Sequence, residues 1–239
     1  VCLVHLIKAS RLYLALYGAD VAVWTYIKIY CKVTPASLVF PFKLGEFFRM
    51  YCYGVEIHNL LKGIVTVIFD RFMDTTALVT IILFAWIING GHITLLTYAL
   101  MLFLICILVL YFVYPGMYHF WKKYILKAKA TEHKLAVLKL LDMSNALYQE
   151  IVGVSRGRGV ILYFMSLIAW GVEIGSLVLL TGTSVKEPLR EIITQYLISA
   201  MGGGASAELN QFVFISVVLM LVIYIGIKLC GLLEKRKVY

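Results

Sequence analysis

Residues 93–114 form an uncharged and almost wholly apolar run. It exceeds the ~20 residues that a helix needs to cross a hydrocarbon core about 30 Å thick. A chain with such a run must either bury it at the centre of a large soluble domain or place it in a bilayer. Composition decides for the bilayer. Of the 239 residues, 62% are hydrophobic and 15% charged, with a mean hydropathy of +0.91, against roughly 45–50% apolar in soluble domains. At ~20 apolar residues per crossing, the length allows roughly six to eight crossings or half-crossings and leaves no room for a soluble catalytic domain. Twenty-two Lys and Arg against 13 Asp and Glu give a formal charge of +9. In a membrane chain that excess marks cytoplasmic loops and contacts with anionic headgroups, not nucleic acid.

Helical periodicity and breaker residues then divide the chain. Residues 12–30 read as a span that carries Asp20 and is flanked by Lys8 and Arg11 before it and by Lys28 and Lys32 at its end. Residues 64–88, 93–114, 160–181 and 211–233 read as further spans, with residues 89–92 as an uncharged turn between the second and third. The polar stretch 115–158 carries Lys122, Lys123, Lys127, Lys129, Lys134, Lys139, Arg156 and Arg158, and the chain ends in Lys235, Arg236 and Lys237. Both are therefore expected on the cytoplasmic side. Within the stretch, Val137, Leu140, Leu141, Tyr148 and Ile151 share one helical face opposite Lys139, Asp142, Gln149 and Glu150, so a basic amphipathic helix along the membrane surface is expected.

Two apolar segments are too interrupted to cross as single helices. The first, 34–54, holds Pro35, Pro41, Gly45 and Gly54; the second, 182–209, holds Pro188 and the run Gly202, Gly203, Gly204. Non-helical backbone at membrane depth survives only where it is buried or lines a cavity, and paired interrupted segments in the two halves of a chain point to a transporter's binding site. The expected fold is thus an all-α polytopic helical bundle forming one transmembrane domain over residues 1–239. It has about five full spans, two re-entrant half-helix segments and a possible inverted repeat.

Ionisable groups inside spans are costly, about 2.5–3.5 kcal/mol at a helix centre on the insertion scale, so they mark candidate sites. Asp70, Arg71 and Asp74 project into one sector of the 64–88 helix; two acids with one base call for a cation or an arginine from elsewhere. Glu46 and Arg49 repeat the i, i+3 relation, with Lys43 one turn earlier. Glu173 lies ~21 Å into its span, and Arg49, Arg71 or a substrate amine are its candidate partners. Glu208 closes the second broken segment. Cys2, Cys31, Cys52, Cys106 and Cys230 lack metal-ligand spacing, and the five histidines are scattered. No metal site, cofactor, Ser/His/Asp arrangement or GxxxxGK[ST] nucleotide loop is visible.

Pro41-x-x-x-Gly45-Glu46-x-x-Arg49, followed by Asp70-Arg71-x-x-Asp74 inside a helix, resembles the transmembrane region of the lysylphosphatidylglycerol synthase family, a flippase-like superfamily of integral membrane proteins. The second motif there is usually Glu-Arg-x-x-Asp, so Asp70 is a conservative departure; Gly202 to Glu208 resembles the family's second Gly-rich corner more weakly. The resemblance covers roughly residues 11–233 and places the first residue, Val1, after the family's first helix. It implies translocation of a lipid with a polar or charged headgroup, such as an anionic or aminoacylated phospholipid or a lipid-linked glycan. Aminoacyl transfer in the family belongs to a separate soluble domain, so no enzymatic role is expected of these residues. On that reading Lys43 and Arg49 hold the phosphate, and Glu46, Asp70, Arg71, Asp74, Glu173 and Glu208 balance the charge or receive the headgroup. The alternative is a membrane-embedded docking partner for a separate lipid synthase or glycosyltransferase.

Overall fold

A computed structural model describes residues 1–17, 21–40, 44–89, 95–127, 132–181 and 207–237. Every regular element among them is a helix: α1 (Cys2–Ala15), α2 (Val23–Val39), α3 (Leu44–Glu56), α4 (Leu60–Asn89), α5 (Leu95–Lys127), α6 (Glu132–Thr181) and α7 (Ala207–Lys237). The core of the bundle is the α4–α6 interface, with α1 lying across both; α2 packs on α3 and α7.

Residues 12–30 are not one span. Helix α1 stops at Ala15, where the N–H groups of Leu16 and Tyr17 turn back to the carbonyls of Leu12 and Leu14. The Arg158 guanidinium then donates to the Tyr17 carbonyl at 2.6 Å, a cation at the negative end of the helix. Because α1 begins at Cys2, Lys8 and Arg11 sit within it instead of flanking a span.

The first broken segment is a helix, a break and a helix. Pro35 is accommodated inside α2, where the Thr34 hydroxyl donates to the Tyr30 carbonyl at 2.6 Å. Pro41 and Lys43 lie outside the described residues. Gly45 then lets α3 fold back against α2: a Cβ there would lie 2.3 Å from the Cα of Ser37. At the far end of α3 the Asn59 N–H reaches the Gly54 carbonyl at 3.0 Å around His58, which has φ +54°, a left-handed C-terminal cap. The Asn59 side chain in turn caps α4 by accepting from the Lys62 N–H. Gly63 has to be glycine here, since a Cβ would meet the backbone nitrogen of Gly54 at 2.5 Å.

Three described segments are long and apolar enough to cross a membrane: Thr97–Lys127, His133–Ser176 and Asn210–Cys230. Helix α4 covers residues 64–88, read from the sequence as a span, together with their charged cluster, but it is not among these three. Helix α5 does not stop before Pro115; it continues to Lys127. Helix α6 starts at Glu132 and is broken by the conformations of Arg156 and Gly157, the latter at φ +86°, a region open to glycine. The polar stretch 115–158 is therefore largely a pair of helices. Ser144 and Tyr148 approach α5, where the Tyr114 hydroxyl lies 2.7 Å from that of Ser144 and the Tyr114 and Tyr148 rings stack at 4.7 Å. Val137 and Leu140 stay exposed. The segment 182–206, which holds the second broken segment and its glycines, lies outside the described residues, as do the Glu208 side chain and Asp20.

Candidate functional site

Four helices bring eight charged side chains together. Helix α1 contributes Lys8 and Arg11, one turn apart. Helix α3 contributes Glu46 and Arg49 with the same spacing, α4 contributes Asp70, Arg71 and Asp74, and α6 contributes Glu173. Four cations face four carboxylates, so the set is neutral.

Arg11 is the centre of the network. Its side chain is 1% exposed, and its Nε donates to Asp70 Oδ1 at 2.7 Å while Nη1 donates to Asp74 Oδ1 at 2.5 Å and to Ser166 Oγ at 2.9 Å. This is the arginine that the two acids and one base of α4 required. Sequence reasoning placed it at a span boundary, and the only signal for it was that unmatched carboxylate. Ser166 was missed altogether; it passes its own proton to the Leu162 carbonyl, which leaves its lone pairs for Arg11.

Glu173 is 2% exposed and takes its cation from Lys8, Nζ to Oε2 at 2.5 Å. The ion pair thus comes from α1 and not from Arg49 or Arg71, the candidates named from the sequence. Trp170, one turn before Glu173, donates its indole N–H to the Asp74 carbonyl at 3.2 Å and fixes the two helices side by side.

The α3 side of the network is looser. Arg49 Nη1 lies 3.4 Å from Glu46 Oε2, and Arg71 Nη1 lies 3.9 Å from Glu46 Oε1 and 3.6 Å from Asp74 Oδ2. Only the Arg71–Asp70 contact, 2.8 Å, has the length of a strong charge-assisted bond. Arg71 keeps 34% of its side chain exposed, the largest share in the network. Arg49 is buried, with its guanidinium 5.8 Å from the centre of the Tyr30 ring. The Nε atoms of Arg49 and Arg71 and Nη2 of Arg11 are buried with no hydrogen-bond acceptor. Three guanidinium N–H groups thus remain able to receive oxygen.

Of the sequence-derived site residues, the structure joins Glu46, Arg49, Asp70, Arg71 and Asp74 in one chain of ion pairs, and pairs Glu173 with Lys8. Lys43 and the Glu208 side chain lie outside the described residues. No group of three or more His, Cys, Asp or Glu among the described residues is arranged to hold a metal ion.

The chain matches no curated protein and no solved structure. The family model described as the lysylphosphatidylglycerol synthase TM region matches residues 1–225, which include every residue of the network and both motifs on α3 and α4. The chain belongs to that family of membrane domains.

Proposed function

We propose that the chain moves a lipid with a polar or charged headgroup between leaflets, with Arg49, Arg71 and Glu46 as the exchangeable contacts. Membership of a membrane family tied to lysylphosphatidylglycerol synthases supports a lipid-related role. The observation that carries the finer reading is the contrast within the network. On the α1 side the ion pairs are 2.5–2.7 Å long; on the α3 side those to Glu46 are 3.4–3.9 Å, one arginine is a third exposed, and two guanidinium Nε atoms lack acceptors. A phosphate oxygen can replace Glu46 on Arg49 and Arg71 at little cost, because those contacts are weak to begin with. Glu46, once released, can receive an amino or sugar headgroup. The break between α2 and α3, in the reading of a re-entrant hairpin, brings this looser side to membrane depth. The substrates that fit are anionic or aminoacylated phospholipids and lipid-linked glycans, with no catalytic step assigned to these helices.

The test is fluorescent-lipid movement in proteoliposomes containing phosphatidylglycerol, an aminoacylated lipid or a polyprenyl-linked sugar. Wild-type protein is expected to move at least one class, and Arg49→Ala and Arg71→Ala to abolish that movement while the detergent melting temperature of Arg71→Ala holds. Full transport by both variants overturns the assignment.

A second reading has its own observation. Arg11 with Asp70 and Asp74, and Lys8 with Glu173, form short and mostly buried contacts, as structural ion pairs do. A membrane-embedded docking partner for a separate synthase or glycosyltransferase needs only that rigidity and a basic surface on 115–158. Well-folded protein that moves none of the three lipid classes would favour it.

A further inference from the structure

A cavity of about 630 Å³ lies where α1, α2 and α7 meet, lined by Tyr30, whose ring centre is 5.8 Å from the Arg49 guanidinium. Its size falls within the roughly 300–1,000 Å³ of small-molecule sites. His5, Ala9 and Tyr13 of α1 face Ile27 and Tyr30 of α2, and Met220 of α7 closes the back. Leu6 and Val23, both more than half exposed, stand at its mouth. Among the described residues, no charged side chain lines the cavity to pair directly with a phosphate or an ammonium group, and burying one unpaired is costly.

The inner end is nevertheless polar. His5 and Tyr30 are both more than nine-tenths buried. The imidazole Nδ1 lies 3.4 Å from the Tyr30 hydroxyl, and that hydroxyl lies 3.4 Å from the His5 carbonyl. Both contacts are at the long limit for hydrogen bonds. His5 Nε2 is buried with no partner. An imidazole held this weakly can rotate about its χ2 bond and present a ring nitrogen to the cavity it already lines.

We propose that this cavity binds a neutral, single-headed lipid: a hydrocarbon body ending in one uncharged hydroxyl, which His5 and Tyr30 receive. A hydroxyl suits this pair because it both donates and accepts. A neutral imidazole offers one donor and one acceptor nitrogen, and the ligand's oxygen serves either. The Tyr30 ring lines this uncharged site and lies beside Arg49 of the one that would take an ionic headgroup. The proposal stands apart from the translocation reading, since it concerns different side chains and is measured by binding.

The probe is a long-chain alcohol with a photoactivatable group on its chain, bound to the full chain in zwitterionic nanodiscs and mapped by peptide mass spectrometry. Labelling is expected in α1, α2 and α7, displaced by unlabelled hexadecanol at least tenfold more effectively than by hexadecyl phosphate. His5→Phe keeps a planar aromatic ring, slightly larger, and removes both nitrogens; it is expected to weaken binding about tenfold, the scale of one well-made buried hydrogen bond. Ser10→Trp, at an exposed position lining the cavity, is expected to block labelling by filling it. Equal displacement by the phosphate overturns the proposal, as does labelling spread along exposed α5. If His5→Phe does not fold, undiminished labelling of Ser10→Trp overturns it as well.

Discussion

Arg11 holds three oxygens from two other helices. With Arg11 changed to Leu, Asp70 and Asp74 keep Arg71, which contacts their other oxygens, but lose their shorter and more buried pairs. Removing one partner of a buried ion pair costs about 3–5 kcal/mol, so Arg11→Leu is expected to lose most of its thermal stability in detergent. Arg71→Ala removes a side chain that is a third exposed and is expected to cost at most about 1 kcal/mol. Melting the two variants side by side checks this ranking; equal losses would refute the central role of Arg11. Lys8 and Glu173 form a simpler pair. Lys8, at 21% exposure, can turn its ammonium outward when Glu173 is neutralised. A double-mutant cycle with Lys8→Met and Glu173→Gln is therefore expected to show a coupling of about 1–2 kcal/mol, with Lys8→Met, which takes the cation from a carboxylate only 2% exposed, the more costly single change. Additive effects would mean that the pair contributes nothing.

At the scale of the element, glycines that look alike in the sequence do different things. Gly45 and Gly63 stand where two backbones touch, and a Cβ at either would lie 2.3–2.5 Å from backbone that a side chain cannot push aside. Gly45→Ala is expected to cost at least about 1–3 kcal/mol by overpacking and to open the α2–α3 contact. Gly171, within α6, has nothing within 4 Å of its Cβ position; Gly171→Ala is expected to be neutral or to stabilise by up to about 1 kcal/mol, the helix-propensity difference. Thermal melting of the two variants separates close approach from mere presence. The same contrast explains what could be read in advance. The breaks at 41–45 and around Gly54 were legible because Pro and Gly act locally. The end of α1 was not, because a turn and a guanidinium from residue 158 create it, and no local pattern announces a contact between positions so far apart in sequence. Pro115 misled for the opposite reason: α5 continues through it, since one missing N–H does not outweigh an otherwise apolar helix.

For the whole molecule, length sets the geometry. Helix α5, 33 residues at 1.5 Å each, is about 50 Å long, some 20 Å more than a hydrocarbon core. Its first part carries no charge, and its last two turns carry Lys122, Lys123 and Lys127, so the excess must leave the bilayer at the lysine end. There α6 runs back alongside it, with Asp142 bound to Lys122 at 3.1 Å and to the Tyr118 hydroxyl at 3.0 Å. The membrane class, most helices and six of the network's eight charges were legible because apolar length and intramembrane charge are local properties. Lys8 and Arg11 were not, because their roles depend on α1 crossing α4 and α6. The lysines make orientation testable. By the positive-inside bias the α5–α6 end is expected in the cytoplasm and the start of α5 on the opposite face. In a background with all five cysteines replaced, Lys123→Cys is expected to react with an impermeant maleimide only after the cytoplasmic face is opened, and Leu95→Cys, 86% exposed, to react from outside. The reverse pattern would invert the molecule, and with it the leaflet from which a headgroup first meets Arg71.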